Sequence, residues 1–117
     1  MNKTAIVIDD DFDSVEIFSD LLEEHDIMIV GKGYNGKQAI DLYQEKKPDF
    51  IFLDLNMPEG SGFHAIRNIK KIDNSAKIIA VTARDDFPSK KKLHELNVQD
   101  IIIKPVDMDK ILNIISN

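Results

Sequence analysis

The sequence predicts a doubly wound α/β fold, in which a five-stranded parallel sheet is covered by helices on both faces. Two observations predict it. Five short, almost purely apolar segments recur along the chain, as expected for strands that are buried on both faces of a parallel sheet. After each of them, apolar residues recur at helical spacing among charged residues, so that every strand is followed by an amphipathic helix and a right-handed crossover.

The predicted strands share a short run of β-branched or aromatic residues that ends at a polar residue or a glycine. They are residues 5–8, 27–30, 50–53, 77–81 and 101–103. We interpret Gly31 and Gly33 as turn residues that close the second strand, and Asn35–Gly36 as a further turn.

The predicted helices share apolar positions three and four residues apart. They include residues 15–22, 39–43, 63–69, 88–96 and 108–115. Asp11 or Asp13 is suited to cap the first helix, because a carboxylate can accept the free amide hydrogens there. Pro88 can open the fourth helix, and Pro48 ends the second.

Length and composition narrow the classes of function. With 117 residues we expect one domain spanning 1–117. A net charge of −6 argues against a general nucleic-acid binder, and the lack of cysteine excludes disulfides, thiolate metal sites and thiol nucleophiles. No apolar run approaches the roughly 20 residues of a membrane span, and no signal peptide is recognisable, which favours a cytoplasmic, monomeric protein.

Polar side chains follow four of the five predicted strands. In chain order they are Asp9 and Asp10, Asp54, Thr82, and Lys104. Because the carboxyl ends of parallel strands share one edge of the sheet, we expect these side chains to converge. Each is weak evidence alone, and their common position at strand ends indicates a site.

The chemistry of such a site follows from its charges. Three neighbouring carboxylates repel one another, so that one or more is protonated or the site holds a cation. Oxygen ligands without His or Cys favour Mg²⁺, or Mn²⁺, over zinc. Asp54 can then act as a nucleophile that forms an acyl phosphate, while the Lys104 ammonium and the Thr82 hydroxyl bind the phosphoryl oxygens.

The chain resembles the receiver domains of two-component response regulators (the CheY-like family) over its whole length. The matching motifs are Ile8-Asp9-Asp10, Asp54-Leu55-Asn56-Met57-Pro58, Val81-Thr82-Ala83 and Lys104-Pro105. The resemblance implies the flavodoxin-like strand order 2-1-3-4-5. It also implies that Asp54 is the phosphoacceptor, that Asp9, Asp10, Asp54 and the Asn56 carbonyl hold Mg²⁺, and that Thr82 and Lys104 bind the phosphoryl group.

The resemblance further implies a function in signalling. A sensor histidine kinase or a phosphotransfer protein would phosphorylate Asp54, and the face formed by the fourth helix, fifth strand and fifth helix would then bind a downstream effector. The protein would catalyse only its own phosphorylation and dephosphorylation, without turnover of another substrate. We expect a stand-alone receiver that is a monomer or a weak phosphorylation-dependent dimer, with no direct contact to nucleic acid or membrane.

Three departures from the family pattern, at four positions, matter. Ile101 stands three residues before Lys104, where most members have an aromatic switch residue, so an aromatic rotamer signal is not expected. Asn56 and Arg84 occupy the positions at which the family tunes the lifetime of the phosphoryl group. Val106 replaces the phenylalanine that commonly follows Lys-Pro, which changes packing rather than chemistry.

Two other classes of protein share part of this pattern and would have a different function. A small phosphatase of the haloacid-dehalogenase kind also uses an aspartyl nucleophile and Mg²⁺, but it would need an acid two residues after Asp54, where this chain has Asn56, and room for a cap domain. A flavin-binding flavodoxin relative would need a Ser/Thr/Gly-rich phosphate loop after the first strand, where this chain has Asp9, Asp10 and Asp11. Both rank below the receiver.

Overall fold

The computed structural model describes residues 3–58, 61–83 and 85–116, and within them strands and helices alternate. The strands are β1 (Lys3–Ile8), β2 (Ile27–Gly33), β3 (Phe50–Asp54), β4 (Ile78–Thr82) and β5 (Asp100–Ile103). The helices are α1 (Phe12–Glu23), α2 (Gly36–Lys46), α3 (Ser61–Ile72), α4 (Phe87–Glu95) and α5 (Met108–Ser116). Every predicted element is present, in the predicted order.

The sheet is parallel throughout and has the order β2-β1-β3-β4-β5, which confirms the predicted topology. The chain therefore reverses its direction of winding between β1 and β3. Doubly wound sheets place their functional sites outside the carboxyl ends of the strands at such a reversal. All five residues of the central strand β3 are buried.

Alternate residues of the central strands point into two separate cores. On one face, Ile6 of β1 and Leu53 of β3 pack beneath α2, α3 and α4. On the other face, Val7 of β1 and Phe52 of β3 pack beneath α1 and α5. This double burial explains why the strands read as continuous apolar runs, and it fixes β3 rigidly up to its last residue.

The predicted end of β2 was wrong, because the strand continues through Gly31 to Gly33. The two glycines are required by close packing: an added Cβ would lie 3.0 Å from Leu42 at Gly31 and 2.7 Å from Ile8 at Gly33. The Asn35–Gly36 turn was also wrong. Asn35 is instead the N-cap of α2, and its side-chain oxygen accepts a hydrogen bond from the amide of Gln38, the third residue of that helix.

Capping differs between α1 and α4. Asp11 takes the N-cap position of α1, but its carboxylate accepts from the Ser14 hydroxyl (2.6 Å) rather than from a helix amide. Asp86 caps α4 by accepting from the Ser89 amide (2.8 Å), with Pro88 in the first turn. Among the described residues, no helix combines the length and the apolar character needed to cross a membrane.

Candidate phosphoacceptor site

Strand register brings the predicted site residues to one edge of the sheet. Ile8 pairs with Leu53, so Asp9 and Asp54 follow at neighbouring positions of β1 and β3. Asp54 itself pairs with Val81, and Thr82 is the next residue of β4. Thr82 in turn pairs with Ile103, the residue before Lys104. The four strand ends therefore lie side by side, as the sequence predicted.

Three carboxylates form the centre of this site. Asp9, Asp10 and Asp54 each offer an oxygen, and these oxygens lie within 4.8 Å of one another. Asp9 and Asp54 are buried, with only 8% and 4% of their surface exposed, whereas Asp10 is exposed. The cluster thus has a buried floor and one ligand that faces solvent, an arrangement that a hydrated cation can enter.

The two buried carboxylates are held in the same way. Asp9 Oδ1 accepts a hydrogen bond from the amide of Asp11 (3.0 Å), and Asp54 Oδ1 accepts one from the amide of Asn56 (2.9 Å). In both cases an aspartate ends a strand, and the backbone turns so that the amide two residues later reaches its side chain. This bond occupies one oxygen of each carboxylate and leaves the Oδ2 atoms aimed at the centre of the cluster.

Lys104 supplies positive charge at the cluster. Its Nζ lies 3.4 Å from Asp54 Oδ2 and 3.5 Å from Asp9 Oδ2, and its side chain is one-third exposed. The backbone positions it, because the Lys104 amide donates to the Thr82 carbonyl (2.8 Å) and a cis peptide bond joins Lys104 to Pro105. The Lys104 ammonium thus contacts two of the three carboxylates of the cluster.

The burial and the negative charge of the cluster affect the pKa of Asp9. Burial raises the pKa of this carboxyl, and the neighbouring Asp54 raises it further, while the Asp11 amide and Lys104 act in the opposite direction. Among the described residues, Lys104 is the one cation that lowers the pKa of Asp9, and it does not offset burial and the charge of Asp54. A hard divalent cation such as Mg²⁺ fits the donor set, which consists of oxygen atoms and contains no imidazole or thiolate.

Thr82 and Asn56 lie on the side of the cluster towards β4. Thr82 is buried with 2% of its surface exposed, and its hydroxyl lies 3.5 Å from the side-chain oxygen of Asn56, at the limit of a hydrogen bond. Asn56 is exposed. A cavity of about 670 Å³ opens here and is lined by Asp10, Asn56 and Thr82, among others, so a tetrahedral phosphoryl group has room to approach.

The predicted switch residue Ile101 is not a member of this cluster. Ile101 is half-buried in β5 and packs against the core beneath α2, α3 and α4. Arg84 lies outside the described residues. The amides of Asp11 and Asn56 were missed as orienting groups, although an aspartate at a strand end followed by a turn was the available signal.

The chain is similar to known proteins over almost its whole length. Residues 5–116 match the family model of the response regulator receiver domain. Protein CcdB of Bacillus subtilis is 35% identical over 116 residues, which cover 99% of this chain and 96% of that protein. Chemotaxis protein CheY of Thermotoga maritima is 30% identical over 112 residues, or 96% and 93% of the two chains.

Solved structures share the fold. A chain of the CheX-CheY-BeF3-Mg+2 complex from Borrelia burgdorferi superposes with a TM-score of 0.88 at 23% identity, covering 97% of this chain and 86% of that chain. Chemotaxis protein CheY4 of Vibrio cholerae superposes with a TM-score of 0.89 at 18% identity, covering 99% and 98%. At these sequence identities, the structural likeness shows a shared fold and nothing about function.

Proposed function

The chain belongs to the response regulator receiver domain family of two-component signalling, and on that premise we propose that Asp54 is its phosphoacceptor. The observation that carries the proposal is the position of this carboxylate. It ends the central strand, it is buried to 96% of its surface, and its Oδ2 faces both the Lys104 ammonium and the carboxylate of Asp9. A nucleophile so fixed needs little reorganisation to attack.

Asp9, Asp10 and Asp54, together with the backbone carbonyl of Asn56, would hold Mg²⁺, and Mn²⁺ is an alternative with the same ligand preference. Bound there, the ion supplies positive charge to the oxygens of the phosphoryl group during transfer. Two structural relatives carry such groups: the Borrelia complex contains BeF3 and Mg²⁺, and a Burkholderia pseudomallei response regulator contains a phosphorylated aspartic acid and a calcium ion.

The transfer step conserves atoms and charge. An Asp54 carboxylate oxygen forms a bond to the phosphorus of a phosphohistidine, and the bond from phosphorus to the imidazole nitrogen breaks, which returns the ring to its kinase or phosphotransfer protein. Lys104 binds one phosphoryl oxygen in place of its present bond to Asp54, and the Thr82 hydroxyl binds another. Hydrolysis of the acyl phosphate later restores the carboxylate, so the chain acts as a switch rather than as an enzyme with a separate substrate.

The output surface would be the α4–β5–α5 face. Thr82 and Lys104 end the strands that precede and follow α4, so a phosphoryl group that binds both biases the segment between them. On this face, Phe87 is 76% exposed, and it lines one groove with Lys90, Lys91 and Ile101. A downstream effector that presents acidic and apolar side chains fits this surface. Because Ile101 is aliphatic, the switch operates through displacement of α4 without an aromatic rotamer.

The remaining parts of the proposal concern the lifetime of the acyl phosphate, the location of the protein and its oligomeric state. Asn56 and Arg84 would set the rate at which water reaches the acyl phosphate. The protein would act in the cytoplasm as a single receiver domain, either monomeric or as a weak dimer that forms on phosphorylation. Light scattering with and without a phosphodonor measures the last point directly.

Phosphoramidate offers a direct test, since it donates a phosphoryl group and releases ammonia. Incubation of the chain with Mg²⁺ and phosphoramidate should add one phosphoryl group, read as intact mass at neutral pH and lost in alkali. Asp54→Asn should gain none, whereas Asp41→Asn, an exposed aspartate on α2, should behave as wild type. Sustained hydrolysis of many phosphate esters without a stable adduct would instead favour the phosphatase alternative.

A further inference from the structure

A cavity of about 330 Å³ adjoins the carboxylate cluster on the other face of the sheet, between α1 and the segment that joins β5 to α5. Val7, Phe52 and Val81 form its floor, one from each of the three central strands. These side chains are almost completely buried and belong to the core beneath α1 and α5. The receiver function described above uses the acidic end of this space and leaves its apolar part without a role.

The walls of the cavity are apolar as well. Phe18 of α1 stands edge-on to Phe52, with 5.3 Å between the ring centres, and Ile17 lies at the rim with 63% of its surface exposed. Val106 forms the opposite wall, and a larger side chain at this position would fill the space. The volume lies at the lower end of the range of about 300–1,000 Å³ that is typical of small-molecule sites.

One end of the cavity is polar and carries an imbalance of charge. Asp9, Asp54 and Lys104 line this end, where two carboxylates share the one ammonium of Lys104. Ser14 also lines this end, and because its hydroxyl donates to Asp11 (2.6 Å), its oxygen remains an acceptor for a ligand. The polar end therefore offers acceptors and negative charge, which complement a cationic donor.

We propose that this cavity binds a small amphipathic amine, with its ammonium group towards Asp9 and Asp54 and its alkyl or aryl body against Phe18, Phe52 and Val106. A molecule of this kind matches both the apolar length of the cavity and the charge at its end. Binding would oppose Mg²⁺, because both cations neutralise the same two carboxylates. Only this antagonism rests on the proposed metal site; the binding itself does not.

The probe is 2-phenylethylammonium, titrated into the isotope-labelled full chain without Mg²⁺ and followed by amide NMR shifts. We expect saturable shifts at α1 and at residues 105–106. Val106→Phe, which fills the cavity, should bind at least about tenfold more weakly, because the aryl body loses its buried site. Met28→Phe adds the same ring at an exposed position of β2 and should bind as wild type.

Two further arms keep the test decisive if Val106→Phe fails to fold. Ile17→Lys places a second ammonium at the exposed rim and should weaken binding by about threefold. The anion 3-phenylpropionate has the same aryl body and should show no saturable shifts. The proposal is overturned if 2-phenylethylammonium shows no saturable binding, if the anion binds as tightly, or if every folded cavity variant binds as wild type.

The final arm adds Mg²⁺ to the saturated complex. Reversal of the amide shifts at α1 supports the proposed orientation of the ammonium group, and unchanged shifts overturn it. Failure of the phosphoramidate assay would contradict the receiver proposal without affecting the titration, since the titration contains neither Mg²⁺ nor a phosphodonor. Val106→Phe should still accept a phosphoryl group on Asp54, which separates loss of the cavity from loss of the acidic site.

Discussion

Two polar clusters lie at opposite edges of the sheet and differ in how their charges are satisfied. At the amino ends of the strands, Asp49 Oδ2 accepts from both the amide (2.8 Å) and the hydroxyl (3.2 Å) of Thr4, whose hydroxyl oxygen accepts in turn from the Asp49 amide. Nearby, Asp73 accepts from the Tyr43 hydroxyl (2.8 Å) and from the Ser75 amide (2.9 Å). Each of these two carboxylates accepts two hydrogen bonds from neutral donors of the chain.

At the carboxyl ends the balance is different. Asp9 and Asp54 each receive one backbone amide, and they share one ammonium, that of Lys104, in the presence of a third carboxylate at Asp10. Under the proposed function, the aspartates at the two edges of the sheet have different roles. A carboxylate that neighbouring donors satisfy stabilises the fold, whereas carboxylates that share too little positive charge cost stability and keep affinity for an added cation.

The largest expected effect concerns the shared ammonium. Lys104→Met should slow phosphorylation by phosphoramidate about a hundredfold, since a fixed donor to a developing anion contributes a factor of that order. The rate of adduct formation by intact mass measures it, with circular dichroism to verify folding. Lys37→Met, which removes an exposed lysine paired with Asp41 on α2, is the matched control and should leave the rate unchanged. A near-normal rate for Lys104→Met would contradict its role at the site.

At the amino ends of the strands, substitution of Asp49 should lower stability and leave phosphorylation unchanged. Asp49→Ala removes the acceptor for two Thr4 donors and should lower the free energy of unfolding by about 1–2 kcal/mol, measured in urea. Its phosphorylation should remain normal. Asp41→Ala removes only a surface ion pair and should change stability by less than about 0.5 kcal/mol. Equal effects of the two substitutions would show that the hydrogen bonds from Thr4 to Asp49 contribute no more stability than the surface ion pair of Asp41.

A smaller effect on the free energy of unfolding, opposite in sign to that at Asp49, is expected at Asp9. Its folded-state pKa is raised by burial, so the ionised form costs stability as pH rises through that value, and the cost is absent at lower pH. Without Mg²⁺, Asp9→Asn should therefore raise the free energy of unfolding at pH 7 by about 1 kcal/mol. Lowering the pH should stabilise wild type relative to the variant, and Mg²⁺ should reverse their order. Destabilisation by Asp9→Asn in Mg²⁺-free buffer at pH 7 would show that Asp9 is structural.

The smallest effect concerns the Tyr43 hydroxyl. Tyr43→Phe should cost about 0.5–1 kcal/mol at neutral pH, because Asp73 at the surface regains water. Burial, followed by the bond to Asp73, raises the pKa of Tyr43 to about 12, so its contribution is present below pH 10 and lost as pH rises through 12. In a Tyr34→Phe background, tyrosinate absorbance should titrate near 12, and a midpoint near 10 would exclude the bond.

Much of this architecture could be predicted because the strands are buried on both faces. Four of the five apolar runs end abruptly at a polar residue, as β3 does at Asp54, so the sequence marks the edge of the sheet as well as the strands. The convergence of Asp9, Asp54 and Lys104 followed from parallel topology alone, and the register confirms it.

Other features depend on packing between distant segments. Gly31 and Gly33 carry the composition of a turn, and only the approach of Leu42 on α2 shows why they belong to β2. The cavity beside Val106 is equally hidden, since its size depends on how far α1 stands from the segment after β5. Local sequence patterns indicate the periodicity of strands and helices and the residues at which they end, but they do not indicate the distances between these elements.

The central claim is that Asp54 is the carboxylate that receives the phosphoryl group. After incubation with Mg²⁺ and phosphoramidate, reduction with borohydride cleaves an acyl phosphate and leaves homoserine at the modified position, which peptide mass spectrometry can locate. The account predicts homoserine at residue 54 and at no other aspartate, with none in the Asp54→Asn variant. Homoserine at Asp9 or Asp10, or an unmodified Asp54 in a chain that has gained a phosphoryl group, would contradict it.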